Sequence, residues 1–184
     1  MSWRNTTASY GRLARLFHWT IVCLVACQFA LALGIETASS DEVQAAFYSW
    51  HESMGMVVLA VALLRLAWRL IDRPPAIESP PLLRAAAHVV HGTLYGLLLA
   101  LPLTGYAMTN ALGFPVELFG IVPLPVFVAP DRGLGFRLLT IHFWLGMALL
   151  ALVAIHAGAA LFHHIVLRDG TLNRMLPRRS SGTA

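Results

Sequence analysis

The stretch that decides the fold is Phe136-Arg-Leu-Leu-Thr-Ile-His142-Phe-Trp-Leu-Gly146-Met-Ala-Leu-Leu-Ala-Leu-Val-Ala-Ile-His156-Ala-Gly-Ala-Ala-Leu-Phe-His163-His164-Ile-Val-Leu167. Between Arg137 and Arg168 it holds no charged residue. Crossing a hydrocarbon core takes roughly 20 apolar residues in a helix, so the run predicts a spanning helix. His142 and His156 lie fourteen residues apart in it. Fourteen steps of about 100° return to within about 40° of the starting face, roughly 21 Å further along. One helix face therefore offers imidazoles at two depths. Polar side chains at membrane depth are costly and usually mark function.

Working outward, three more apolar runs are long enough to span: Leu13 to Gly34, Phe47 to Ile71 and Ala85 to Ala111. With 58% hydrophobic and 12% charged residues, the 184-residue chain carries more apolar surface than a water-soluble fold could hide. The expectation is one domain, residues 1–184, all-α, a transmembrane four-helix bundle. Ala30-Leu31-Ala32 behind Arg4, Arg12 and Arg15 has the look of a signal-cleavage site, but its apolar run is too long for a signal core, so the first helix is expected to stay. Ile35 to Ala46 reads as a short acidic link, and Asp72-Arg73-Pro74-Pro75 as a helix stop, because proline cannot continue a helix. The long connection Leu112 to Gly135, with four prolines among apolar residues, is expected to lie along the membrane surface. No fixed-period repeat is visible.

All thirteen basic residues are arginine, for a formal charge of +4. They gather at the ends of apolar runs and nothing resembles a groove-reading motif, so nucleic acid is not expected as a partner. With four spans, eleven arginines (4, 12, 15, 65, 69, 73, 84, 168, 174, 178 and 179) fall on one side and only Arg132 and Arg137 on the other. The positive-inside rule then puts both termini in the cytoplasm. Glu36, Asp41, Glu42, Glu52, Glu117 and Asp131 fall outside.

His51, near the outer start of its helix, matches the depth of His142. His18 is the remaining partner for His156, although His163, seven residues on and on nearly the same face, is a rival. Two His/His pairs stacked across a bundle suit axial ligation of haem. Zinc or copper sites want three or four ligands at one depth, which a two-plus-two split serves poorly. Arg65, fourteen residues after His51, falls at the depth of the inner pair and needs an anion, such as a haem propionate, unless it snorkels from a helix end. Arg69 and Arg73 continue that track. His88, His91 and Tyr95 share a face and are candidates for propionate, quinone or backbone pairing. Cys23 and Cys27, four apart on one helix, are poorly placed for a disulfide and read as packing residues.

The patterns His51-x3-Gly55 and His142-x3-Gly146, with Gly105, suggest side chains removed where a flat porphyrin would press on the backbone. The chain resembles the bacterial cytochrome b561 family, of the type that includes the membrane superoxide:ubiquinone oxidoreductase. The residues that carry the likeness are Leu16-Phe-His-Trp19, Trp50-His-Glu-Ser-Met-Gly55, Leu64-Arg-Leu-Ala-Trp-Arg69 with Arg73-Pro-Pro75, and His91-Gly-Thr-Leu-Tyr95. Further along come Leu101-Pro-Leu-Thr-Gly105, Leu118-Phe-Gly-Ile121, Ile141-His142 and Ile155-His-Ala-Gly-Ala-Ala-Leu-Phe-His-His164. The resemblance implies a di-haem b cytochrome in the inner (cytoplasmic) membrane, with His18 and His156 on the cytoplasmic-side haem iron and His51 and His142 on the periplasmic-side one. It implies exchange of electrons with the quinone pool, ubiquinone being the expected substrate, and places His163, with Arg73, near the quinone. The periplasmic donor would be superoxide or a protein. The six outer acids set against two outer arginines do not make the basic funnel that an anionic substrate favours. Competing expectations are a haem-free small transporter using buried histidines, and the membrane anchor subunit of a larger oxidoreductase.

Overall fold

Capping residues, rather than the limits of the apolar runs, set the helix ends. In the computed structural model, which describes residues 2–7, 9–76 and 80–176, α1 is Arg12–Thr37, α2 is Asp41–Ile71, α3 is Pro81–Ala111 and α4 is Arg132–Phe162. Arg178 and Arg179, which weigh in the orientation argument, lie outside the described residues. The Ser40 hydroxyl accepts from the Val43 amide, and Asp41 and Glu42 in the first turn suit the helix dipole, so α2 starts six residues before its apolar run. The acidic link expected over Ile35 to Ala46 is therefore only Ala38 to Ser40. Asp131 caps α4 in the same way through Leu134, and Pro81 opens α3 at a position where a missing N–H costs nothing. Ile71 ends α2 just before the two prolines, as the sequence predicts. Beyond Phe162 the helix widens into a π-turn, His163–Leu167, stopped by Arg168 in the left-handed region at φ 52°.

All four helices are long and apolar enough to cross a membrane, and the protein is a transmembrane four-helix bundle. Its core is one layer at mid-height: Ile21 and Val25 of α1, Val58 and Ala62 of α2, Leu97 and Leu98 of α3, and Leu149 of α4. Outward-facing Leu33, Leu70, Val89, Phe143, Trp144 and Ile155 are exposed, as side chains that meet lipid tails must be. Cys23 and Cys27 are free thiols on this outer surface, so their packing role is not in the core.

The helices pack in chain order, α1 on α2, α2 on α3 and α3 on α4, and no Cα of α4 comes within 8 Å of α1 or α2. Helix α4 thus stands away from the first two along its whole length.

The long connection folds as a cap over the end of the bundle opposite the termini, the outer end in the orientation expected from the arginines. Strand β1 (Glu117–Leu118) pairs antiparallel with β2 (Val122–Pro123) around Phe119 and Gly120, both at positive φ. The fully buried Ser53 of α2 anchors it, accepting from the Phe119 amide at 2.8 Å and donating to the Ser49 carbonyl at 2.8 Å. Asn110 Oδ1 accepts from the Phe127 amide, and the Tyr106 hydroxyl donates to the Pro125 carbonyl. Phe114, Ile121, Val126 and Phe127 project outward from the cap.

Candidate functional site

The outer histidines meet because of helix register. His51 and His142 are each the eleventh residue of their helix, counting from Asp41 and from Arg132. Helices α2 and α4 run in the same direction, so equal counts mean equal depth. The ring centres are 6.2 Å apart, with planes at 74°. His142 Nδ1 is 3.1 Å from the Leu101 carbonyl and 3.4 Å from Thr104 Oγ1. Pro102 breaks the regular ladder there by removing one backbone N–H, and the Thr104 hydroxyl serves the carbonyls of Ala100 and Leu101. A carbonyl can only accept, so His142 donates from Nδ1 and keeps Nε2 free.

Gly105 makes room for that ring. A Cβ built on it would lie 3.1 Å from His142 Cε1, so the glycine clears the imidazole ring. Gly55 serves Gln28 in the same way: a Cβ would meet Gln28 Nε2 at 3.0 Å, and that amide donates to the His51 carbonyl at 3.1 Å. At Gly146 a Cβ would meet nothing within 4 Å. His51 Nδ1 is buried without a hydrogen-bond partner among the described residues, which ordinarily costs about 1–3 kcal/mol.

On the inner side His18 of α1 and His156 of α4 face each other with ring centres 6.3 Å apart and planes at 75°. The two levels are alike to within 0.1 Å and 1°. An imidazole–metal bond of roughly 2.0–2.1 Å plus roughly 1.1 Å from ring nitrogen to ring centre, doubled across one ion, comes to about 6.3 Å. Both pairs therefore fit two imidazoles on opposite sides of one iron. They span the gap that separates α4 from α1 and α2, and that gap is what a flat macrocycle between facing rings needs.

The inner level holds a third imidazole. His91 of α3 lies 5.3 Å from the His156 ring, too close to share an iron with it from the opposite side, and next to the pair rather than at the periphery. Arg65 and Arg69 both approach the Tyr95 ring, at 5.4 and 5.8 Å from its centre. With Tyr10, Trp68, Asp72 and Asn5 they line a small cleft. Asp72 is occupied by the Asn5 amide at 2.8 Å, and among the described residues neither arginine ion-pairs with a carboxylate. Burial holds the Tyr10 phenol above its usual pKa, so it stays a donor beside the two guanidinium groups. The cleft gathers two guanidinium groups and a phenol beside the Asp72 carboxylate.

Other predicted residues lie elsewhere. Arg73 is exposed and outside the cleft lining, while its carbonyl accepts from Asn5 Nδ2 at 3.3 Å. His88 takes the plain role, its Nδ1 2.7 Å from the Arg84 carbonyl of the turn before. His163 stands in the π-turn, paired with Asp169 and not with His18. Sequence reasoning missed Tyr10, Gln28, Thr104 and Asp169. Only Thr104 had a signal, its place between Pro102 and Gly105 on the helix face below His142.

A spanning bundle with paired imidazoles at two depths and an inner cluster of arginines is the architecture of a membrane electron-transfer cytochrome. The chain belongs to the prokaryotic cytochrome b561 family, whose sequence model matches residues 9–178. It is 34% identical to cytochrome b561 homolog 2 of Escherichia coli strain K12 over 98% of both chains. It is 30% identical to a probable superoxide oxidase of Yersinia pestis over 92% of this chain and 97% of that protein, and 33% identical to cytochrome b561 homolog 1 of E. coli K12 over 88% and 93%. Membership makes the chain a membrane electron-transfer protein, implies b-type haem and displaces the haem-free transporter reading.

Proposed function

We propose that this chain carries electrons across the bacterial inner membrane between a donor on the outer side and the quinone pool, using two haem b groups. His51 and His142 would hold the outer haem, and His18 and His156 the inner one. The equal ring separations of 6.2 and 6.3 Å carry the reading. Haem bound there would supply reversible one-electron iron chemistry, with these four imidazoles as the residues that would hold it.

The residues around each pair have definable tasks. The Leu101 carbonyl holds His142 in the Nδ1–H tautomer, which aims Nε2 and raises its basicity. Gln28 fixes the His51 backbone. Arg65, Arg69 and the Tyr10 hydroxyl offer charge-assisted hydrogen bonds to a propionate, and His91 packs on His156 to limit its rotation. His163 and Arg73 are the candidates for contact with quinone, ubiquinone being the expected one. The excess of inner arginines supports cytoplasmic termini. The apolar outer cap, Phe114 to Phe127, supports seating at the lipid boundary. Six outer acids favour a protein donor over superoxide, because an anion approaching that end meets like charge.

The test is a pyridine haemochrome assay of purified protein with the variants H51A and H18A. Two haems per chain in the parent and one in each variant are expected. A parent with fewer than two, or variants that retain two, would overturn the assignment. Reoxidation of the reduced protein by a short-chain ubiquinone tests the second half of the reading.

A further inference from the structure

The π-turn at the end of α4 builds a carboxylate–imidazole dyad. Asp169 Oδ2 lies 2.5 Å from His163 Nδ1. The chain reverses at Arg168, in the left-handed region that few non-glycine residues adopt, and the amides of Arg168 and Asp169 both donate to the His163 carbonyl. Asp169 is held from the other side as well, its Oδ1 accepting from the Thr171 amide at 2.8 Å. These bonds pull its carboxyl pKa down to about 2, the contact with His163 contributing most, so the group is a carboxylate at neutral pH.

A carboxylate can only accept, so His163 must carry its proton on Nδ1. Its Nε2 makes no hydrogen bond among the described residues. An imidazole oriented by an acid at one nitrogen and open at the other is the arrangement that general acid–base chemistry uses. A plain helix terminus needs none of this, since Arg168 and Asp169 already satisfy the His163 carbonyl through their backbone amides. His163 also lies seven residues beyond His156 on nearly the same helix face, about 10 Å nearer the inner end.

We propose that Asp169 is a positioning residue that holds His163 as the proton-exchanging partner of a quinone at the inner end of the bundle. The inference rests on the quinone-linked function proposed above. Reduction of one quinone to quinol takes two electrons, supplied through the protein by the outer one-electron donor, and two protons. His163, doubly protonated, gives the Nε2 proton to a quinone oxygen and becomes neutral, with Nδ1–H still donated to Asp169. Inner-side water restores the Nε2 proton before the second transfer, and quinol oxidation runs the same exchange backwards.

The test uses full-length, haem-loaded protein in nanodiscs and the variants D169N, D169E, H163Q and the double variant D169N/H163Q. Haem content and visible spectra are recorded first, then equilibrium binding of a short-chain ubiquinone, then reoxidation of the pre-reduced protein by that quinone. Asp169→Asn should leave haem content and spectra unchanged and slow reoxidation by roughly tenfold or more at saturating quinone, with KM nearly constant. Asp169→Glu should recover most of the rate, and the double variant should be no slower than H163Q. Wild-type rates in D169N would overturn the proposal, and so would a D169E variant as slow as D169N, which would mark Asp169 as merely structural. A parent protein that quinone does not reoxidise at all would remove the quinone reading and this inference together, a result distinct from either of those.

Discussion

One methyl group at Gly105 should disturb the outer haem and spare the inner one. In Gly105→Ala the new Cβ would sit 3.1 Å from His142 Cε1 and 3.4 Å from Nδ1, against ordinary contacts of about 3.5–4.0 Å. The ring must give way by a few tenths of an ångström. It is held by the Leu101 carbonyl at 3.1 Å, so movement weakens a hydrogen bond worth about 1 kcal/mol, or turns the ring off its rotamer at about 0.5–1.5 kcal/mol. A cost of about 0.5–1.5 kcal/mol corresponds to roughly 2- to 13-fold weaker binding of the outer haem. Haem titration into apoprotein, followed by the Soret band, would read this as one weakened and one unchanged site. Gly158→Ala is the control, since a Cβ there meets nothing within 4 Å. Two unchanged sites in G105A would refute the claim that Gly105 sets the His142 ring, and equal weakening of both would mean general misfolding instead.

Three further outcomes are expected. Arg65→Gln removes a cation from the inner level and should lower the midpoint potential of one haem by tens of millivolts in a redox titration, leaving the other in place. Ser53→Ala leaves the Phe119 amide without its 2.8 Å acceptor, a local loss of about 1–3 kcal/mol that hydrogen exchange should detect as faster opening of the outer hairpin with haem content intact. Because the Asp169 carboxyl is depressed to about 2, its contribution to the inner strap, residues 168–176, is complete above the ordinary carboxylate range and is lost as pH falls from about 4 through 2. Trp19 fluorescence should report that loss, since its indole donates to the Met175 carbonyl of the strap, and an Asp169→Asn variant should show no such transition.

Much of this was legible in the sequence because membrane burial leaves few explanations for a histidine. The fourteen-residue spacing of His142 and His156 gave the two depths, and four apolar runs gave the bundle. His156 rather than His163 was already the expected partner of His18, and the ring centres of His18 and His156 lie 6.3 Å apart. The glycine pattern pointed to the correct neighbourhood, where Gly105 and Gly55 clear room for the His142 and Gln28 side chains. Tyr10 and Asp169 were invisible because each reaches its site by a chain reversal outside the spanning helices, where no periodicity exists to read. The same holds for Ser53, whose value comes from a cap folding back on it across 66 residues of sequence.

The two ends of the bundle are built differently, and the difference bears on where substrates act. The outer pair lies beneath a cap pinned by Ser53, Asn110 and Tyr106, whose bonds are to backbone groups and hold one geometry. The inner pair is bordered by side chains that can recognise something: two arginines over one tyrosine, a protonated phenol, a third imidazole and the His163–Asp169 dyad. Between them lies the buried apolar layer of Val25, Val58, Leu97 and Leu149. An apolar layer disfavours charged carriers of protons, so on the proposed function it is electrons that cross it. A quinone that gained its protons at the outer end would need a titratable relay under the cap. The half-buried carboxyl there, Glu52, already accepts from Thr109 Oγ1 at 2.8 Å. On the proposed function the inner end, where a carboxylate already orients an open imidazole nitrogen, is the end at which electron transfer would couple to protons.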